Sequence, residues 1–254
     1  MIKLSFRNDK TLLGERIVST RKFPVKTLIC DKTRTYATVD LSDEKVFDDY
    51  IKNLSLYVIK KYENKILKRI IKKNYPEIPN FAISEIIDLK KETDLKPRQK
   101  LVEKILKTYF RDHEEGNVEG IVRFRFFEYK KMLRKLADEL VDIYYLNREY
   151  EDFVELLRYF VSVQDFRPEL VYIRVLPNGT YLIFDKNKND ITKKCLQEFA
   201  STEEINDVSF DDLLISVLIT LAPEKMIVEN SENIKNIQLF ETIERVFENV
   251  EYKK

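Results

Sequence analysis

The side chains that most often do chemistry are scarce in this sequence. His113 is the only histidine, and the two cysteines, Cys30 and Cys195, stand far apart in no metal or redox spacing. One histidine without a cysteine cluster cannot build the usual four-ligand zinc site. A Ser-His-acid triad would have to recruit His113, which lies in the charged stretch "RDHEEGNVEG" with no nucleophile-elbow sequence beside it. Four glycines in 254 residues leave no material for a glycine-rich phosphate loop. The residues call for no cofactor and no resident metal.

Four carboxylates toward the C-terminus, Asp185, Asp211, Asp212 and Glu224, have the hard oxygens that a metal-dependent hydrolase needs. Asp211 and Asp212, however, follow Ser209 in what reads as a helix cap and first turn, where the helix dipole already favours negative charge. A nucleotide at the C-terminal end of "KMIV" would meet Glu229 and Glu232, whose charge competes with phosphate for the helix N-terminus. Hydrolysis at these carboxylates is therefore the lesser alternative.

Two cationic groupings remain. "KKYENKILKRIIKK" carries seven Lys and Arg against Glu63 alone. With Ile59, Tyr62, Ile66 and Ile70 as the apolar stripe, Lys61, Lys65, Lys68 and Lys72 run along another face of the helix. That face suits phosphate backbones or an anionic membrane surface, and equally suits plain solvation of a helix whose C-terminal charge complements its dipole. The second grouping is "EGIVRFRFFEY", where Arg123 and Arg125 alternate with aromatics. A ribonucleoprotein-type strand would need glycines inside the motif. These residues run instead into "EYKKMLRKLADEL", which predicts Phe126, Phe127 and Leu133 toward a core and the arginines at its margin.

The elements that must position these residues are predominantly helical. "IKLSF" alternates, and "VKTLIC" and "RTYATV" flank "DKTR" as a hairpin, so the first 40 residues form a small β element. Ser42 reads as the cap of a helix continuing to about Lys73, ended by Pro76 and Pro79. Helices follow over "FAISEIIDLKKE" and "RQKLVEKILKTYF". Two more, about Val122–Leu146 and Glu149–Val163, read as a helical hairpin. "LVYIRVLPNGTYLIF" is a β-hairpin turning at Pro177-Asn178-Gly179. "KMIV", a helix near Glu232–Phe247 and "VEYK" make a β-α-β unit, right-handed if its strands are parallel. The fold class is α+β: an N-terminal β element, a helical middle and a C-terminal α/β portion. Residues 1–110 and 111–254 form the two parts of this organisation, whether as separate domains or one continuous one.

The charge distribution is lopsided. Residues 1–75 carry 18 Lys and Arg against 9 Asp and Glu, whereas residues 201–254 carry 5 against 12. The two ends either serve different partners or attract each other within the fold. "MIKLSFRNDK" has no apolar run of secretory length, and "LLISVLITLA" is about half a membrane span, so it reads as a buried helix. With no disulfide spacing, a cytoplasmic protein without a membrane span is expected.

Three stretches in order, "EGIVRFRFFEY", "YLNREYEDFVELLRYFVSVQD" and "DDLLISVLITLAPEKMIVEN", resemble the YtxC-like family, linked to spore formation in endospore-forming bacteria. The likeness is strongest over about Glu115–Asn230. It implies a cytoplasmic protein of spore formation without an established molecular activity, and it supplies no catalytic residue to carry over. The leading expectation is a non-enzymatic factor acting through contacts with a protein partner. The alternative is a nucleic-acid-binding protein using Lys61, Lys65, Lys68, Lys72, Arg123 and Arg125.

Overall fold

A computed structural model describes residues 1–8, 17–19, 22–165, 167–199 and 210–254. The chain forms two compact units, Met1–Tyr145 and Leu146–Lys254. Its class is α+β, as its pattern predicts.

In the first unit, the alternation of "IKLSFR" turns Ile2, Leu4 and Phe6 inward along β1 (Ile2–Arg7). β2 (Val25–Cys30) and β3 (Arg34–Val39) form the antiparallel hairpin around "DKTR". Asp31 closes that turn by accepting the backbone N–H groups of Thr33 and Arg34 at 2.6 and 2.7 Å. A short β4 (Glu115–Asn117), with no signature in the sequence, joins β1 in parallel, giving the order β2-β3-β1-β4. Gly116 makes this approach possible, because a Cβ there would lie 2.8 Å from the Phe110 ring.

Helix α1 (Glu44–Asn74) is capped by Asp43, which accepts from the N–H groups of Lys45 and Val46. Ser42, the expected cap, instead gives its hydroxyl to Asp40. The buried face of α1 changes midway. Phe47, Tyr50, Ile51, Leu54, Tyr57 and Val58 are buried in its first half, and Glu63, Leu67 and Ile71 in its second. At about 100° per residue, Val58 and Leu67 project from opposite sides of the helix. The predicted stripe is accordingly displaced: Ile59 is buried, but Tyr62, Ile66 and Ile70 are only partly so.

Helices α2 (Ala82–Leu89) and α3 (Lys96–Asp112) complete this core with α4 (Val118–Phe124) and the start of α5 (Phe127–Ser162). Pro97 lies in the first turn of α3, where it removes no helical hydrogen bond. The expected helical hairpin does not form, because α5 runs unbroken for 36 residues. Asn147 and Arg148 fall where the break was expected, and neither residue type interrupts a helix as Pro or Gly does.

The second unit has a four-stranded sheet in the order β6-β5-β7-β8. β5 (Val171–Val175) and β6 (Tyr181–Phe184) are the predicted hairpin, with Gly179 at φ +88° in its turn. That left-handed conformation is open to glycine at little cost. Helices α6 (Thr192–Phe199) and α7 (Phe210–Leu221) precede β7 (Met226–Glu229), and α8 (Ile237–Val246) leads to β8 (Val250–Lys253). β5, β7 and β8 are parallel, so the β-α-β unit is present. Val171, Ile173 and Val175 enter a core with Val154, Leu157, Val217, Leu218 and Ile243. Ser209, read as the cap of α7, lies outside the described residues. No described helix is long and apolar enough to cross a membrane.

Candidate functional site

The arginine–aromatic stretch forms a corner between α4 and α5. Helix α4 ends at Phe124, and Arg125, its C-cap, and Phe126 separate it from α5. This break resets the helical phase, so the expected single helix from Val122 is two. Phe126, Tyr129 and Leu133 turn inward. Phe127, predicted to face the core, is 66% exposed, and Phe124 is 74% exposed.

Arg123 and Arg125 are exposed beside these rings, and the Arg123 guanidinium lies 5.3 Å from the Phe124 ring centroid. Lys130 donates to the Arg123 carbonyl at 2.7 Å. Burial, then Arg134 and Arg123, hold its ammonium below the usual lysine pKa. Positive charge is thus concentrated around two solvent-facing aromatic rings.

Arg125 also lines a cavity of about 340 Å³ with Leu101, Ile105, Tyr109, His113 and Glu128. His113 stacks flat on Tyr109 at 4.5 Å and donates its Nδ1–H to the Tyr109 carbonyl at 3.0 Å. That geometry gives the lone histidine a local structural role.

The basic face of α1 divides into two kinds of residue. Lys61 is folded back, donating to the Arg7 carbonyl at 3.2 Å and to the Tyr57 hydroxyl, with its ammonium 5.9 Å from the Phe6 ring centroid. Lys65, Lys68 and Lys72 are exposed and form no salt bridge among the described residues. They continue the side of α1 that is buried in its first half, so they form a stripe beyond the sheet-covered part of the helix.

The C-terminal carboxylates have separate structural tasks. Asp185 accepts the N–H groups of Asn187 and Asn189 in its own loop, at 2.8 and 2.9 Å. Asp211 takes the Tyr181 hydroxyl at 2.9 Å and the Asn236 amide at 2.7 Å. Glu229, at the C-terminal end of β7, is bound by Arg174 at 2.9 Å and by Lys188. No three His, Cys, Asp or Glu side chains gather among the described residues.

The sequence reading missed a buried charged network. Glu63 is 1% exposed and takes Lys90 Nζ at 2.8 Å and Arg98 Nη1 at 3.5 Å on Oε1. The Tyr129 hydroxyl donates to its other oxygen. The available signal was Glu63 itself, four residues before Leu67 and eight before Ile71 on what becomes the buried face of α1.

The family model described as the YtxC-like family matches residues 49–250, which include all of these surfaces. The chain belongs to the YtxC-like family. Among relatives of this YtxC-like chain is the Uncharacterized protein YtxC of Bacillus subtilis (strain 168), 22% identical over 139 residues. Those residues are 53% of this chain and 47% of that relative, so the chain spans about half the length of the curated protein it matches. No solved structure matches the YtxC-like chain.

Proposed function

We propose that this protein is a cytoplasmic, non-enzymatic factor of spore formation that binds an acidic protein partner through the α4–α5 corner. The observation carrying this reading is the pair of solvent-facing rings, Phe124 and Phe127, set among Arg123 and Arg125. Aromatic and arginine side chains are enriched at the centres of protein interfaces. The cavity beside Arg125 offers space for an apolar side chain of the partner. The sporulation context rests on the family likeness.

The test is affinity capture from sporulating cells with the wild-type chain, F124A/F127A and R123E/R125E. A partner with an acidic surface should be retained by the wild type, lost with either corner variant, and bound again as a purified protein. Equal recovery by all three chains would overturn the reading.

Nucleic acid is the second reading, favoured by the exposed Lys65, Lys68 and Lys72 stripe and by the fit of arginine and phenylalanine to unstacked bases. It requires binding of a single-stranded oligonucleotide that weakens steeply with salt. Neutralising the three lysines should reduce the salt slope by about 2 units, if each neutralises one phosphate of the single strand. Absence of binding at low salt rejects it.

A further inference from the structure

The buried network around Glu63 is electrostatically incomplete. Lys90 and Arg98 have side chains only 19% and 7% exposed, and both answer to the single Glu63 carboxylate. Neither has a second acidic partner among the described residues. The other partner of Lys90 is the neutral Asn64 amide oxygen. Tyr129 adds no negative charge, because it donates its proton to Glu63, and burial followed by the Glu63 charge holds its pKa far above the usual phenol value. Arg98 Nε is buried without a hydrogen-bond partner. Two cations on one carboxylate leave a net positive charge largely shielded from water, an arrangement that favours an added anion.

Space for that anion lies alongside. A cavity of about 400 Å³ is lined by Lys90 and Arg98 together with Glu63, the carboxylate that an added anion would compete with. Lys60 and Lys91 bring two more cations to its exposed side, where Lys91 also pairs with Asp88. Leu56, Ile59 and Leu95 supply apolar wall. This combination of volume, apolar lining and a few convergent charges is typical of a small-molecule site.

We propose that this cavity binds a small organic anion, with a carboxylate or phosphate head toward Lys90 and Arg98 and a short apolar body against Leu56, Ile59 and Leu95. Lys60 and Lys91 draw the anion in from solvent. None of the residues lining this cavity belongs to the α4–α5 corner, so the proposal does not rest on that docking surface.

Calorimetric titration of the full chain with benzoate, phenyl phosphate, inorganic phosphate and benzylamine tests the proposal. At least one aromatic anion should saturate and bind about tenfold more tightly than inorganic phosphate, with no saturable binding of benzylamine. Lys60→Glu, on an exposed side chain, should weaken the aromatic anion by about tenfold while leaving thermal unfolding of the apo chain unchanged. Glu63→Gln removes the internal competitor and should tighten anion binding, a direction that mere loss of structure does not produce. No saturable binding of either aromatic anion by millimolar concentrations, equal binding of benzylamine, or unchanged affinity in Lys60→Glu would overturn the assignment. If Glu63→Gln does not fold, the Lys60→Glu comparison still decides.

Discussion

Tyr62 donates its hydroxyl to Glu119 at 2.8 Å, joining the middle of α1 to α4. The same carboxylate oxygen accepts the Arg7 N–H at 3.0 Å, and Arg34 lies 3.4 Å from the other. One acidic side chain thereby ties together β1, β3, α1 and α4. Desolvation alone would raise its pKa, but the hydrogen bonds from Arg7 and Tyr62 outweigh it and hold the carboxyl below its ordinary 4.5.

That shift fixes the sign of an acid dependence. A carboxyl whose folded pKa is depressed contributes stability above its unfolded pKa, and the contribution is lost as pH falls through the folded value. Glu119→Gln should be less stable than the wild type at pH 7 by about 1 kcal/mol, reduced from a buried charged bond because the site is partly solvated. The deficit should hold steady from neutrality to about pH 5 and shrink as pH falls through about 4.5 and below. Urea titrations across that range measure it; a deficit constant with pH would contradict the assignment.

Glu63 should be far more consequential. Glu63→Ala leaves Lys90 and Arg98 without their carboxylate and Tyr129 without its acceptor. Breaking one partner of a buried ionic network costs about 3–5 kcal/mol. Tyr129→Phe removes only one charge-assisted hydrogen bond and should cost about 1.5–3 kcal/mol. Chemical denaturation of both variants would show this order, and a reversed order would mean that the Tyr129 hydroxyl matters more than the Glu63 charge.

These two networks also show what the residues disclose in advance. The 171–184 hairpin was legible because its alternation and Asn178-Gly179 turn are local signals. The spacing of Lys65, Lys68 and Lys72 likewise placed them on one helix face. The Glu63 partners were not legible, since positions 90, 98 and 129 are brought to it only by packing of α3 and α5 against α1 and by the link after α2. The break at Arg125 and Phe126 has no proline or glycine to announce it, and the continuity of α5 through Asn147 defeated a break read from apolar spacing alone.

The change of buried face along α1 predicts matched losses on opposite sides of one helix. Val58 is 1% exposed and Leu67 is fully buried, although they project in opposite directions. Leu67→Ala should cost about 2–5 kcal/mol and Val58→Ala somewhat less, because fewer methyl groups are removed. Ile66→Ala, on the originally expected stripe but only partly buried, should cost less than Leu67→Ala. Denaturation midpoints of the three variants provide the comparison, and a larger loss at Ile66 would restore the simpler, single-face helix.

The α4–α5 corner makes the sharpest distinction, because three phenylalanines within four positions have different surroundings. Phe126 is fully buried and meets Tyr129 edge-on at 5.6 Å, so Phe126→Ala should destabilise by about 3–5 kcal/mol. Phe124 and Phe127 are mostly solvated, and replacing either by alanine should change stability by no more than about 0.5 kcal/mol. A change that small would leave both rings free of any part in the chain's own stability, as the proposed docking corner requires. Equilibrium unfolding of the three alanine variants separates the two roles: a loss at Phe124 or Phe127 comparable to that at Phe126 would assign those rings to the chain's own packing and remove the basis for a docking corner.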